Sequence, residues 1–165
     1  MSRLLPADHP VPPGFATPRF VVRPITVHDV VRDYDAVMSS RELLWERFGP
    51  AWGWPPADLT LEQDLIDLAW HQKEAELRRS FNYAVASPAG DRLLGCVYID
   101  PPTRRGWDAE AFAWVRADAL ALEDEVVARA REWMAAEWPF ARVAWPGRDI
   151  PWDAWAALPE VAPPT

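Results

Sequence analysis

The residues best suited to chemistry in this 165-residue chain are carboxylates set among aromatic rings. Glu110 shares one strand face with Phe112, Trp114 and Arg116 at period-two spacing. A carboxylate desolvated by such neighbours has its pKa pushed toward neutrality, where it can accept a proton; paired with an arginine it is only a structural strand end. A second group is aromatic. Trp52-Gly-Trp54, backed by Tyr34 and Trp45, offers flat faces that bind an organic cation. The same rings could instead cap the helices hydrophobically. The other candidates read as structural. His71-x-x-Glu74, with Asp67 one turn earlier, stands without a second motif to complete a metal's ligand set, so local charge pairs and no metal are expected. Cys96, among apolar strand residues with no partner histidine, is expected to be buried and inert. Asp8-His9 is expected to be exposed.

These side chains depend on elements to position them. Residues 1–18 hold five prolines and no periodicity, and read as an extended arm over the surface or mobile. Residues 19–165 read as a single domain. Residues 19–25 are β-branched and aromatic, a first strand. Thr26-Val-His-Asp29 has capping-box spacing, and apolar residues then recur every three or four positions from Val27 to Phe48. That pattern predicts one amphipathic helix ended by Gly49-Pro50, then a loop over 51–58 carrying Trp52 and Trp54. Thr60-x-x-Gln63 opens a second helix to about Arg79, with Leu61, Leu65, Leu68, Ala69 and Leu77 predicted on its inner face. Strands are predicted at 81–86, 93–99 and 109–116, a helix at 122–137 stopped by Pro139, a strand at 142–145 and a short helix near 152–158. The order is β-α-α-β-β-β-α-β, an α+β layout.

That order, with the segment Arg92-Leu-Leu-Gly-Cys-Val-Tyr-Ile-Asp100, resembles the GNAT (GCN5-related N-acetyltransferase) superfamily over residues 19–145. The likeness is to bacterial members with two helices between the first and second strands. It implies a GNAT-like (acyl-CoA N-acyltransferase-like) mixed sheet and transfer of an acetyl group from acetyl-CoA to a small amine. It also implies that residues 109–115 flank the cofactor's pantetheine arm. Arg116-Ala-Asp-Ala-Leu-Ala121 falls where the family carries Gln/Arg-x-x-Gly-x-Gly/Ala, so Val115, Arg116, Ala119 and Ala121 are the implied cofactor-binding positions. Glu110 is the implied catalytic base, and Tyr34, Trp52, Trp54 and Trp114 the implied acceptor wall.

Free N–H groups ahead of a helix make an anion site on physical grounds alone. Here Ala119 replaces a glycine, Asp118 sits inside the loop, and Glu123, Asp124 and Glu125 fill the helix's first turn. Each like-charge pair costs about 1 kcal/mol at 4 Å in water. Two readings stay open: an acetyltransferase, or a GNAT-like domain that works as a small-ligand-binding or protein-interaction module. After Trp145 the chain lacks room for the family's last helix and two strands, and it holds no tyrosine there to serve as general acid. Trp152 and Trp155 read as exposed, a possible homodimer contact.

Composition bounds the partners. Seventeen basic against 25 acidic residues give a net charge of −8, which argues against nucleic-acid binding. No apolar run reaches about 18 residues, so no membrane partner is expected. One cysteine excludes an internal disulfide and suggests a cytoplasmic setting. A small-molecule amine is the expected partner.

Overall fold

The computed structural model describes residues 2–162. Its elements in chain order are β1 (Phe15–Ala16), β2 (Val21–Pro24), α1 (Val30–Ser39), α2 (Arg41–Trp52), α3 (Leu61–Glu76), β3 (Phe81–Ala86), β4 (Leu93–Asp100), β5 (Ala109–Val115), α4 (Glu123–Glu137), β6 (Val143–Ala144) and α5 (Trp152–Ala156). The strands form one six-stranded sheet in sequence order, antiparallel except for β5 and β6, which run parallel.

Helices cover both faces. Every residue of β3 and β5 is buried, as expected of strands packed on two sides. One face packs Val22, Tyr83, Val97 and Val115 against Val126, Ala130 and Trp133 of α4. The other packs Ala84, Cys96 and Trp114 against Val37, Leu44 and Leu68 of the first three helices. The arm is pinned: Leu5 is fully buried, the Leu4 N–H donates to the Arg78 carbonyl at 2.8 Å, and the Tyr83 hydroxyl donates to the Pro12 carbonyl at 2.6 Å.

Three sequence expectations are corrected. The single helix over 27–48 is two helices, after a 3-10 turn at Val27–Asp29. The break falls at Ser40, whose hydroxyl accepts the Ala117 N–H at 2.8 Å while Ser39 donates to the Ala36 carbonyl. Serine side chains that bond to backbone compete with helix continuation. Second, Gly49-Pro50 does not end α2; the stop is Gly53, left-handed at φ 65°, whose N–H reaches the Gly49 carbonyl at 2.7 Å. Trp52 is therefore helical. Third, α3 is rolled relative to its apolar pattern. Leu68 faces inward with Asp64 and Glu74, while Leu61, Leu65 and Leu77 are exposed. Two stripes of helical period compete in this segment, and the one facing the sheet lines a cavity rather than a core.

Gly95 marks the closest approach of β4 to β5. A Cβ there would lie 2.0 Å from the Trp114 carbonyl oxygen. Gly95→Ala is expected to cost about 3 kcal/mol or more in denaturant unfolding, because backbone rather than a flexible side chain must move.

Candidate functional site

A cavity of about 920 Å³ opens between α3, the far ends of β3 to β5 and the end of α2. Its wall comes from α3. The Thr60 hydroxyl accepts the Gln63 N–H at 3.1 Å and fixes the start of the helix, so that Asp64, Asp67, His71 and Glu74 line the cavity. The floor is one face of the sheet. Tyr98 and Asp100 alternate along β4, and opposite them in register stand Phe112 and Glu110 of β5. Trp52 and Trp54 close the top. Trp52 lies edge-on to Phe112 at 4.8 Å and to Tyr98 at 6.3 Å, and Trp54 leans on Trp114 at 6.1 Å.

The carboxyls here are electrostatically unusual. Asp33 of α1 and Asp64 of α3 are buried close enough for each to influence the other's titration. Burial pushes Asp33 well above the ordinary range, with the Asp64 charge adding to the effect. Burial also raises Asp64 to about 6. Asp100 is pushed up to about 7, first by burial and then by the charge of Glu110. Glu110 is raised by burial, although Thr103 opposes this by donating both its N–H and its hydroxyl to the carboxylate. The ring of His71 stacks on Tyr98 at 6.0 Å, and burial lowers its pKa, so it stays neutral at pH 7. Glu74 is already paired, with Lys73 at 3.0 Å and Arg79 at 3.7 Å. The cavity is thus rich in acid and aromatic surface and poor in free cations. Among the described residues no three His, Cys, Asp or Glu side chains are grouped to hold a metal ion.

Of the sequence candidates, Glu110, Trp52 and Trp54 meet at this cavity. Tyr34 and Trp114 do not line it, and both belong to the core beneath it. The Tyr34 hydroxyl donates to the Leu59 carbonyl at 3.1 Å, and the fully buried Trp114 donates to the Tyr98 hydroxyl at 2.7 Å. Trp45 lies outside, under the Arg41 guanidinium at 5.1 Å. Sequence reading missed Asp33, Asp64, Asn82 and Asp100, and it placed His71 and Glu74 on a solvated face. Strand parity held one usable signal, since Tyr98 and Asp100 share one face of β4 as Glu110 and Phe112 share one face of β5.

The implied cofactor positions are differently arranged. β5 and β6 pair only at Ala109↔Val143 and Glu110↔Ala144, then diverge. The recess left between them, about 220 Å³, is lined by Arg47, Phe112, Ala113, Arg148 and Trp152. The chain's own side chains enter it. Arg148 donates to the Ala113 carbonyl at 3.2 Å and to Glu123 at 2.9 Å, while Arg47 grips the same carboxylate through two nitrogens. Trp152, expected to be exposed, stacks over Phe112 and donates to the Arg47 carbonyl at 2.8 Å; Trp155 is buried. The loop itself, Ala117–Leu122, is a 3-10 helix. Its Ala117 N–H goes to Ser40 and its Ala119 N–H to the Arg116 carbonyl at 3.0 Å. Arg116 is buried and engaged with Asp35 at 3.0 Å, Asp118 at 2.8 Å and the Leu93 carbonyl. Of the four implied cofactor positions, Val115 is in the core, Arg116 is held by carboxylates of the chain, and Ala119 and Ala121 lie in the 3-10 turn. Ala117 and Ala119 donate within the chain, and the inward carboxylate at the start of α4 is Glu123.

No protein-family model matches the chain, and no curated protein does either. Solved structures match its shape. The ribosomal-protein-S5-alanine acetyltransferase from Vibrio fischeri superposes with TM-score 0.57 at 18% identity, over 73% of this chain and 66% of that one. The chain has the GNAT fold. A ribosomal L7/L12 alpha-N-protein acetyltransferase in complex with coenzyme A follows at TM-score 0.54 and 9% identity, over 73% and 67%. Spermidine N-acetyltransferase from Vibrio cholerae, in complex with CoA and spermine, gives 0.51 and 9%, over 71% and 64%. This chain thus spans about two thirds of the length of these acetyltransferases. No helix among the described residues is long and apolar enough to cross a membrane.

Proposed function

We propose that the chain is a GNAT-fold protein that binds a small organic cation, a protonated amine, in the acidic aromatic cavity. One observation carries this reading: six carboxylates line a space walled by Trp52, Trp54, Tyr98 and Phe112, and the arginine that lines it, Arg79, is already beside Glu74. Buried carboxyls held protonated or crowded are poor company for one another and good company for a cation, and aromatic faces add cation–π attraction. A cationic ligand in a protein of the same fold, spermine in the Vibrio cholerae structure, agrees with the chemistry.

Acetyl transfer to the same amine is the second reading. It is favoured by Asp100, raised to about 7, which can accept the proton that the amine nitrogen loses as its bond to the acyl carbon forms, with Glu110 directly opposite. The engaged loop and the Glu123 carboxylate weigh against it.

Calorimetric titration with a primary alkylamine, its neutral alcohol analogue and acetyl-CoA separates these readings. The amine is expected to bind and the alcohol to fail. Acetyl-CoA binding at millimolar concentration would restore the transferase reading, and an amine that binds no better than the alcohol would remove both.

A further inference from the structure

We propose that the cavity takes a linear dication, with one ammonium group held by Asp33 and Asp64 and a second held by Asp100 and Glu110. This rests on the amine-binding reading and names the shape of the molecule that the site selects. Unpartnered acceptors supply the first observation. Asp64 is 4% exposed and Asn82 is 7% exposed, and Asp64 Oδ2 and Asn82 Oδ1 are buried without a hydrogen-bond partner. Both residues line the cavity together with Asp33. Orphaned buried acceptors are rare and costly in native proteins, and an ammonium is the group that brings three donors and a compensating charge. The Cys96 thiol is the donor already in place, reaching Asp33 at 3.7 Å.

The second observation is distance. Cys96, Tyr98 and Asp100 lie on one face of β4, with Asp33 against Cys96 and Glu110 in register with Asp100. Four residues of strand separate the two acidic ends, roughly 13 Å at about 3.3 Å per residue. Between them the floor is Tyr98, with Asn82 opposite it on β3, His71 stacked on it and Trp52 at its edge. The remaining wall carboxylates are engaged, Asp67 by Gln63 and Glu74 by Lys73 and Arg79. His71 is held neutral and adds no charge to repel a cation. Two acidic ends joined by an aromatic sleeve match an alkyl chain carrying an amine at each end. A monoamine leaves one end unsatisfied.

The test is calorimetric titration of the full chain with unbranched α,ω-diamines of four to twelve carbons, alongside the monoamine of each length. Diamines long enough to reach both ends are expected to bind at least tenfold more tightly than the matching monoamine, whereas the four-carbon diamine shows no such gain. Asp64→Asn and Asp100→Asn, each checked for a native circular-dichroism spectrum, are expected to reduce the long diamine to monoamine affinity. Equal affinity of diamine and monoamine at every length would overturn the two-headed cavity while leaving amine binding intact. Absence of binding by any amine would overturn the parent reading as well.

Discussion

Asp64→Asn is expected to stabilise the protein without ligand at pH 8 while it weakens amine binding. The folded chain keeps a proton on Asp64 up to about pH 6, whereas an unfolded aspartate releases it near 3.8. Folding therefore takes up a proton between these values, and stability falls as pH rises through that window. Asp33 and Asp100 act in the same direction, Asp100 up to about 7. His71 opposes them: its lowered pKa makes the folded state gain stability as pH rises toward 6.5. Two pKa units on Asp64 correspond to about 3 kcal/mol at full effect. An asparagine there removes the charge and can donate to Asp33, which now keeps its carboxylate at less cost. The expected gain is about 5 °C or more in the unfolding midpoint at pH 8, vanishing near pH 4. Scanning fluorimetry of both proteins across pH 4–8 measures it. A variant less stable than the parent at pH 8 would mean that the Asp33–Asp64 pair does not strain the fold.

The difference between what the sequence carried and what it hid follows from the kind of signal each feature leaves. Strands β3 to β5 were legible because β-branched and aromatic runs bounded by Ser-Pro-Ala-Gly and Pro-Pro turns leave few alternatives. The caps at Thr60 and at Thr26-x-x-Asp29 were legible too, since the Asp29 carboxylate accepts the Thr26 N–H at 2.9 Å as the spacing suggested. The break at Ser40 was not, because it depends on a bond to Ala117, 77 residues away. Nor was the roll of α3. Apolar periodicity predicts the face that meets a core, and this helix turns Asp64, His71 and Glu74 toward a cavity while leaving Leu61, Leu65 and Ile66 outside. A site lined by acids inverts the rule that a core obeys, so its wall read as surface. The same holds for Glu123. Its place in the first turn of α4 read only as one of three acids opposing an anion, and only the folded chain brings Arg47 and Arg148 to it.

Glu123→Gln is expected to cost stability and to create anion affinity that the parent lacks. The carboxylate is 7% exposed, and both arginines hold its pKa below the ordinary range against the opposing effect of burial. A lowered pKa stabilises the fold above the unfolded value, and that contribution disappears as pH falls through the folded one. Removing the charge leaves two guanidinium groups facing each other across a small recess. Breaking a buried pair from one side costs about 3–5 kcal/mol; with both arginines about one-third exposed, about 2 kcal/mol is the better figure. The orphaned pair is then a site for a diphosphate, since arginines bind phosphate oxygens in the same forked geometry as a carboxylate. Millimolar pyrophosphate or coenzyme A should raise the melting temperature of the variant and leave the parent unchanged. If the parent gains as much as the variant, Glu123 does not close the recess, and the chain binds the nucleotide in a conformation other than this one. If neither responds, the tail residues Arg148 and Trp152 are sufficient to keep the recess shut, and Arg148→Ala in the Glu123→Gln background becomes the variant that should respond.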